Sequence, residues 1–213
     1  MFTGITQSMS PIVAIERRNG GARVRIKKPA GWTLSVGQSV SVDGICSTVV
    51  RKTPGYFEVE YMPETLSKTT AASFERGAVV NLERSLTFKS FIDGHVVQGH
   101  IDGRGRVAGL HARGSSREYT IDVPRSLTRF IVPQGSIALN GVSLTIASVR
   151  KHTCTVALIP FTLQHTNLGT LKKDDLLNIE TDILARHIVA AYTGSGTVRR
   201  DAEKRVQKKN SSS

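Results

Sequence analysis

The sequence contains no long hydrophobic run. None of its segments approaches the roughly 18 consecutive apolar residues that a membrane-spanning helix needs, so we expect no integral membrane protein. Residues 1–6 lack the basic flank and apolar core of a secretory signal. Cysteine is also scarce, because Cys46 and Cys154 are too few for a disulfide framework or a cysteine-built zinc site. These absences predict a reduced, soluble, cytoplasmic protein.

Acidic residues are few. The chain has 29 Lys and Arg residues against 17 Asp and Glu residues, which gives a net charge of +12. Residues 199–213 hold six basic and two acidic residues, and therefore supply +4 of that charge. This tail ends in three serines and has no interleaved aromatics, which favours a solvated terminus over a nucleic-acid-binding arm. Nucleic-acid binding by a basic surface stays as an alternative, and it predicts strongly salt-dependent affinity.

Motifs for cofactors and metals are missing. The sequence has no Walker-type loop and no Gly-x-Gly-x-x-Gly after a strand, so we expect no nucleotide cofactor. His95 and His100 lie five residues apart, a spacing that would place them on opposite faces of a strand. No carboxylate or thiol set accompanies them, and we therefore expect no metal site.

The sequence does contain an internal repeat. Sliding it against itself by 97 residues gives an ungapped match from about Ser39 to Glu83. Identical or apolar pairs fall where residues 39–49 lie on 136–146, 62–69 on 159–166, and 80–83 on 177–180. With a two-residue slip, residues 3–5 also match residues 98–101. One register held over about 45 positions indicates a duplicated domain.

Each half is rich in short alternating or β-branched segments between Gly, Pro and Asn residues. The segments that predict strands are 23–27, 38–42, 57–61 and 79–82 in the first half, and 119–123, 136–139, 144–149 and 155–159 in the second. No helical run is evident between them. The pattern favours an all-β fold with one small antiparallel barrel per half, because closing a barrel removes exposed sheet edges.

One helix is predicted, over residues 181–192. Thr181 or Asp182 can cap it, and Gly194 can end it. Its apolar stripe consists of Ile183, Leu184, Ile188, Ala191 and Tyr192. Because this helix lies outside both repeats, a subunit interface and the chain's own core are equally good partners for the stripe.

Positions where the two halves differ are the candidates for chemistry. Cys46 aligns with Ser143, and His100 aligns with Ile5. Cys46 follows the turn at Gly44, where its thiol could face a ligand or fill a small core space. His100 lies between glycines, where an imidazole could exchange protons near neutral pH or serve as a structural hydrogen-bonding group.

Threonines recur at equivalent places in both halves, at Thr48 and Thr145 and at Thr65 and Thr162. Each pair lies near apolar residues, so each half could form a slot with apolar walls and a few fixed hydroxyl groups. Such a slot suits a flat, hydrogen-bonding heterocycle, and two slots suggest two similar ligands. Strand-end threonines that only satisfy local hydrogen bonds are the structural alternative.

Several motifs, in order along residues 1 to about 192, resemble those of the riboflavin synthase family, whose chains carry lumazine-binding repeats. These motifs are Met1–Ile5, Gly44–Val49, Met62–Leu66, Gly94–Gly103, Asn140–Thr145 and Asn178–Ala185. The resemblance implies two tandem six-stranded antiparallel Greek-key barrels followed by a C-terminal helix. It places the first barrel at residues 1–96, the second at 97–180 and a trimerisation helix at 181–194. The resemblance does not extend to residues 195–213, where the composition predicts a basic, disordered tail.

The resemblance also implies an activity. Two molecules of 6,7-dimethyl-8-ribityllumazine would be dismutated to riboflavin and 5-amino-6-(ribitylamino)uracil by transfer of a four-carbon unit, without a cofactor. The active site would form in a homotrimer, between the N-terminal barrel of one subunit and the C-terminal barrel of a neighbour. Association with lumazine synthase is left open. The rival within the family is a non-catalytic antenna protein that binds lumazine or flavin.

By the same resemblance, the catalytic residues are Cys46, His100, Ser143 and Thr145, with Ser39 and Asp182 as weaker candidates. For these two, a strand hydroxyl and a helix cap are the structural alternatives. The expected lining of the first pocket is Gly4, Ile5, Thr6, Cys46, Ser47, Thr48, Glu60, Tyr61, Met62, Pro63, Glu64 and Thr65. The expected lining of the second is Gly99, His100, Ile101, Ser143, Leu144, Thr145, Ala157, Leu158, Ile159, Pro160, Phe161 and Thr162. Phe2 is expected at the site's mouth.

The sequence departs from the family pattern at four positions. Ser47 stands where an apolar residue is common, and Asp93 replaces a frequent glycine. Gln134, a further candidate for binding, stands where a lysine is often found, which weakens a cationic contact across the subunit boundary. Phe161 occupies the place of Glu64 in the first half. None of these departures removes Cys46, and the sequence therefore favours an active enzyme over the antenna protein.

Overall fold

The computed structural model describes residues 1–193, which fold into two closed six-stranded antiparallel barrels and a C-terminal helix. This confirms the predicted fold. The first barrel consists of β1 (Ser8–Arg18), β2 (Gly21–Lys27), β3 (Ser39–Val42), β4 (Ile45–Lys52), β5 (Tyr56–Tyr61) and β6 (Val79–Arg84). The second consists of β7 (Gly103–Arg113), β8 (Ser116–Asp122), β9 (Ser136–Leu139), β10 (Val142–Arg150), β11 (Thr153–Leu158) and β12 (Leu176–Thr181).

The two barrels have the same strand order. The first closes as β1-β2-β5-β4-β3-β6, and the second repeats that cycle with the corresponding strands. Alternation along each strand fills the interior, as in β2, where Val24 and Ile26 are buried while Arg23 points outward. Each barrel therefore has its own hydrophobic core, one around Phe57 and the other around Tyr119.

Four strands were not among those predicted from the sequence pattern, namely β1, β4, β7 and β12. In β1 the register shifts between Ile12 and Ala14, and in β7 between Val107 and Gly109, so that a bulge breaks the alternation of each long strand. The expectation of no helix between the strands is wrong. Each half contains a six-residue helix, α1 (Pro63–Lys68) and α2 (Pro160–His165), and each has proline in its first turn, where a missing N–H costs no hydrogen bond.

Short 3-10 helices cover residues Thr70–Ser73, Arg125–Phe130 and Asn167–Thr170. The predicted C-terminal helix, α3, covers residues 183–193 of the described chain. Its cap is Asp182, whose Oδ1 accepts a hydrogen bond from the backbone N–H of Leu184 at 2.9 Å. Gly194 and the predicted tail at 195–213 lie outside the described residues. No helix within residues 1–193 is long and apolar enough to cross a membrane.

The two barrels meet at a seam with approximate two-fold symmetry, built from the same turn in each repeat. Asp43-Gly44 and Asn140-Gly141 both have positive φ at both residues, the geometry of a tight hairpin turn. The turns lie back to back, because a Cβ on Gly44 would lie 2.7 Å from the backbone nitrogen of Gly141. This contact leaves room only for glycine and brings β4 and β10 beside the seam.

Candidate functional site

The segment that precedes each barrel in the sequence packs against the other barrel, across the seam. We call these two pieces the exchanged segments. The backbone N–H of Cys46 donates to the carbonyl of Gly99 at 2.8 Å, and that of Ser143 donates to the carbonyl of Gly4 at 2.7 Å. The segment before the second barrel therefore lies on the first, and the N-terminal segment lies on the second. This corrects the expected grouping, since residues 99–101 belong with Cys46 and residues 4–6 belong with Ser143.

Glycine is required where the exchanged segments touch the barrels. Gly4 and Gly99 have φ values of +78° and +80°, which favour glycine. A Cβ on Gly99 would lie 2.7 Å from the Cβ of Cys46, and one on Gly4 would lie 2.7 Å from the Cβ of Ser143. The close approach fixes each segment against the side chain that the repeat comparison singled out.

The first site is an open cleft of about 240 Å³ on the outside of the first barrel. Residues that line it are Ile45, Cys46, Met62, Glu64, Thr65, Lys68, Thr69, Gly99, His100 and Ile101. Cys46 pairs with Ser41, and Thr48 with Ser39, across the β3–β4 hairpin, so these small polar side chains share one face. The cleft itself combines the Cys46 thiol, the exposed His100 imidazole and two threonine hydroxyl groups with apolar walls.

The second site contains a residue that sequence reasoning did not assign, His95. Its Nδ1 lies 2.7 Å from Oγ of Ser143. Burial lowers the pKa of His95, and the negative charge of Asp182 acts in the opposite direction, so Asp182 lies within electrostatic reach. Its Nε2 is buried and has no hydrogen-bond partner within residues 1–193. His95 therefore contacts one predicted catalytic residue, Ser143, and feels the charge of a second, Asp182, without a hydrogen bond to it.

This arrangement supports proton transfer. A neutral imidazole can accept the Ser143 hydroxyl proton at Nδ1 when its own proton sits on Nε2. In the sequence, the glycine before His95, in Asp93-Gly94-His95, was the signal that could have identified this histidine. In the structure, His95 lies two residues before Val97, which forms a buried β-bridge with Phe2. Gly94 permits the contact, because a Cβ there would lie 2.1 Å from the Thr3 carbonyl oxygen.

The rims of the two sites differ in chemistry. On α1, Lys68 donates to Glu64 at 2.7 Å, and this contact holds the pKa of Glu64 below its usual range. On α2, the equivalent residues are Phe161 and His165, whose rings stack with centroids 4.0 Å apart. The first rim is therefore ionic and the second aromatic. Two similar ligands would meet different surroundings in the two sites.

Some predicted residues do not reach either site with their side chains. Ser47 and Tyr61 are buried in the first barrel, where their hydroxyl groups lie 2.9 Å apart, and Leu158 is buried in the second barrel. Phe2 was expected at the mouth, but it is fully buried at the seam with Val97 and Ala138. These assignments are corrected, because inward alternation or the seam takes each side chain away from solvent.

The remaining predicted residues are exposed or partly buried. Gln134 is exposed in the turn before β9, and Glu60 is exposed on β5, where it pairs with Arg23 at 2.5 Å. Those on the second barrel or its exchanged segment are Ile5, Thr6, Leu144, Thr145, Ala157, Ile159, Pro160, Phe161 and Thr162. Pro63 begins α1 beside the first site. The structure assigns no chemical role to these residues by contact alone.

The two histidines of the candidate metal pair are separated between the sites. His95 contacts Ser143, whereas His100 lines the cleft with Cys46. Within residues 1–193, no group of three or more His, Cys, Asp or Glu side chains is placed to hold a metal ion.

Comparison with known proteins agrees with this architecture. The family model for the lumazine binding domain matches twice, at residues 3–85 and 98–182. The chain is 36% identical over 193 residues to riboflavin synthase from Brucella abortus, covering 88% of this chain and 96% of that one. It is 34% identical over 189 residues to riboflavin synthase from Actinobacillus pleuropneumoniae, covering 88% of each.

A solved structure has a similar fold. LumP in complex with 6,7-dimethyl-8-(1'-D-ribityl) lumazine superposes with a TM-score of 0.78 at 27% sequence identity, covering 85% of this chain and 99% of that one. Because both repeats match and relatives above 30% identity align over most of their length, the chain is an enzyme that belongs to the riboflavin synthase family.

Proposed function

We propose that the enzyme dismutates two molecules of 6,7-dimethyl-8-ribityllumazine into riboflavin and 5-amino-6-(ribitylamino)uracil. The observation that carries this proposal is the pair of sites built by one repeat but equipped differently. One site offers Cys46 and His100, and the other offers Ser143 and His95. A reaction that uses one molecule as donor and an identical molecule as acceptor needs this combination of likeness and difference.

The chemistry needs little beyond position. The two products together contain all atoms of the two substrates, so the reaction requires no oxidant, reductant or cofactor. The 7-methyl group of the lumazine is acidic because its carbanion is delocalised into the ring, and Ser143 with His95 would accept that proton. The Cys46 thiol would act at the ring carbon of the partner molecule, as nucleophile or hydrogen-bond donor. Holding the two rings together supplies much of the rate enhancement.

The complete active centre is proposed to lie between subunits of a homotrimer. The cleft beside Cys46 is open, with Met62 73% exposed at its rim, so a second surface could close over a bound heterocycle. On α3, Leu184 and Ile188 are 64% and 62% exposed, which provides an apolar contact for a neighbouring copy. In this arrangement, the Cys46 site of one subunit faces the Ser143 site of the next.

Incubation of the purified enzyme with the lumazine alone tests the function. The proposal predicts that riboflavin fluorescence grows while the lumazine is consumed in a two-to-one ratio. Cys46→Ser and His100→Ala are expected to lower the turnover number. Binding of lumazine without riboflavin formation would contradict the proposal and favour the antenna protein, a role that the LumP complexes make the second candidate.

A further inference from the structure

Two buried glutamates hold the exchanged segments in place. The carboxylate of Glu180, on β12, accepts backbone N–H groups from Gln98 at 2.6 Å, Gly99 at 2.9 Å and His100 at 3.1 Å. Both carboxylate oxygens take part, Oε1 with Gln98 and Oε2 with the other two. Three consecutive N–H groups that converge on one carboxylate define the path of this segment more tightly than side-chain packing could.

Glu83, at the equivalent position of the first repeat, does the same for the N-terminal segment. Its carboxylate accepts the backbone N–H of Thr3 at 2.7 Å, the Thr3 hydroxyl at 2.8 Å and the backbone N–H of Gly4 at 3.0 Å. Glu83 and Glu180 are both 3% exposed, so water does not compete for these bonds. Both repeats therefore contain the same arrangement, in which a buried glutamate accepts backbone N–H groups of an exchanged segment.

The segment held by Glu180 belongs to the site of the other repeat. Gly99 accepts the backbone N–H of Cys46, and residues 99–101 form one wall of the Cys46 cleft. A contact path therefore runs from the Glu180 carboxylate through the Gly99 backbone to Cys46. In the same way, Glu83 acts through Gly4 on Ser143.

A second contact reinforces only the first of these paths. Asp102, just beyond the segment, accepts the N–H of Thr181 at 2.8 Å and pairs with Arg186 of α3 at 2.5 Å. The corresponding residue of the first half is Gln7, which accepts only from Arg84, at 3.2–3.3 Å. The wall of the Cys46 cleft is therefore fixed at both ends, and one of these ties leads to the C-terminal helix.

We infer that Glu180 and Glu83 are positioning residues that act across the seam, Glu180 on the Cys46 site and Glu83 on the Ser143 site. Glu180 sets the Gly99 carbonyl and the His100 side chain in place without touching the ligand. The effect of Glu180 on turnover rests on the proposed function. Its effects on the order of segment 98–100 and on the reactivity of Cys46 do not. Each repeat thereby controls the geometry of its counterpart's site.

Glu180→Gln is the direct test, with Glu83→Gln as its matched control. A glutamine retains one acceptor oxygen and turns an amide group toward at least one backbone N–H, so a bond is lost. Hydrogen exchange should become about tenfold faster at the amides of residues 98–100 in Glu180→Gln and unchanged at residues 3–4, because tenfold corresponds to one such bond. Glu83→Gln should show the reverse pattern.

The reactivity of the Cys46 thiol provides a second readout that is specific to one site. Cys46 is half-buried and Cys154 is fully buried, so a thiol reagent added to the folded enzyme reports on Cys46. The labelling rate should change severalfold in Glu180→Gln and remain that of the wild type in Glu83→Gln. In turnover, Glu180→Gln should raise the KM for the lumazine more than it lowers kcat, because it loosens a binding wall.

The outcomes separate the alternatives. Equal exchange changes at both segments, or a Cys46 labelling rate that responds equally to both variants, would overturn cross-seam positioning. If Glu180→Gln does not fold, Glu180→Asp is measured in the same way, since it keeps the charge but cannot reach all three N–H groups. Failure of both variants to fold would make Glu180 a stability residue and overturn the inference. Altered exchange and labelling without any riboflavin formation in the wild type would refute only the proposed function.

Discussion

Cys46 and Ser143 occupy the same place in the two repeats and differ chiefly in one atom. Each donates its backbone N–H to a glycine of the exchanged segment, so their side chains start from equivalent backbones. The thiol suits attack on an electron-poor carbon, whereas the hydroxyl suits a hydrogen bond to His95. The first copy of the repeat, residues 1–85, contains no histidine that could match His95.

Replacing His95 should therefore affect catalysis more than fold. His95→Gln is expected to lower kcat about a hundredfold, the usual effect of removing a general base. Burial lowers the pKa of His95, so its neutral form persists below pH 6.5 and the acidic limb of the kcat profile should lie below that value. An acidic limb above pH 7, or full activity of the variant, would contradict this role. His152→Gln, on an exposed turn, serves as the control.

Ser47 and Tyr61 form a buried polar pair where the second barrel has Leu144 and Leu158. The Ser47 hydroxyl also donates to the carbonyl of Ile45 at 2.9 Å. Burial raises the pKa of Tyr61, which keeps the phenol protonated as a hydrogen-bonding group. The departure of Ser47 from the family pattern is thus matched by a second polar residue opposite it.

A double-mutant cycle tests this pair. Ser47→Ala should lower the free energy of unfolding by about 1–3 kcal/mol, because it leaves the phenol of Tyr61 buried without its partner. Adding Tyr61→Phe should recover part of that loss, since both polar groups are then absent. Urea unfolding measures both values, and strictly additive losses would show that the two hydroxyl groups do not interact.

At the scale of elements, the C-terminal helix is tied to the second barrel at its start and open along one face. Asp182 caps it, and Arg186 pairs with Asp102. Leu184, Ile188 and Tyr192 recur every four residues and are 64%, 62% and 84% exposed. Residues at this spacing share one face of a helix, so α3 presents a continuous apolar stripe.

A charge in that stripe should disrupt assembly without unfolding the barrels. If the proposed homotrimer forms through this stripe, Ile188→Glu should reduce the sedimenting mass from trimer to monomer, because it places a carboxylate in an apolar contact. Far-UV circular dichroism should remain that of the wild type. Val36→Glu is the matched control, since Val36 is also 62% exposed but lies in a loop of the first barrel. A trimeric Ile188→Glu variant would rule out this face as the interface.

Strands could be predicted from the sequence where polar and apolar residues alternate regularly. The alternation of polar and apolar residues in β2 and β5 was enough to place these strands, and the repeat placed β9 as the counterpart of β3. The long strands β1 and β7 were missed because a bulge in each interrupts the alternation that reveals a strand. The short helices α1 and α2 were missed because six residues give too few turns for a helical period to show.

For the whole molecule, the seam is a polar network as well as a pair of turns. Asp43 is buried and accepts the backbone N–H of Asn81 at 2.7 Å and the side-chain amide of Asn167 at 2.8 Å. Asn167 belongs to the second barrel, and so does Asn178, whose side-chain amide donates to the Asp43 carbonyl at 2.9 Å. In the second repeat, Asn140 takes the place of Asp43, so the seam contains this ionisable group once.

The buried carboxyl group of Asp43 should make the free energy of unfolding depend on pH. Burial raises the pKa of Asp43 to about 7, although its hydrogen bonds act in the opposite direction. Between its ordinary pKa of 3.8 and 7, the folded chain keeps a proton that the unfolded chain releases, so the free energy of unfolding falls as pH rises. Burial also raises the pKa of Glu180, which makes the free energy of unfolding depend on pH in the same direction. The contribution of Asp43 is therefore measured as the difference between the wild type and Asp43→Asn, because both proteins retain Glu180.

Urea unfolding at pH 5 and pH 7 provides that comparison. The wild type should lose about 1–2 kcal/mol more than Asp43→Asn between these values, since one proton contributes about 1.4 kcal/mol per pH unit at most. Asparagine is compatible with the position because Asn140 occupies the equivalent turn in the second barrel. Identical pH dependence of the two proteins would contradict a protonated Asp43 in the folded state.

The exchange of segments across the seam was beyond the reach of the sequence. The repeat identified Cys46, Ser143 and His100 as positions of interest, but sequence proximity grouped each segment with its own half. The actual grouping depends on how the chain crosses between barrels, which is set by backbone hydrogen bonds such as those of Gly4 and Gly99. Backbone hydrogen bonds use groups that nearly all residues share, so in the sequence only the glycines point to these contacts.

Two unequal sites on different subunits are proposed to form one active centre. Cys46→Ala and Ser143→Ala variants, mixed in equal amounts and allowed to exchange subunits, test this claim most directly. In random trimers about a quarter of the shared centres would combine an intact Cys46 site with an intact Ser143 site, so turnover should rise to about a quarter of the wild-type value. Turnover that stays at the mean of the two separate variants would contradict the claim.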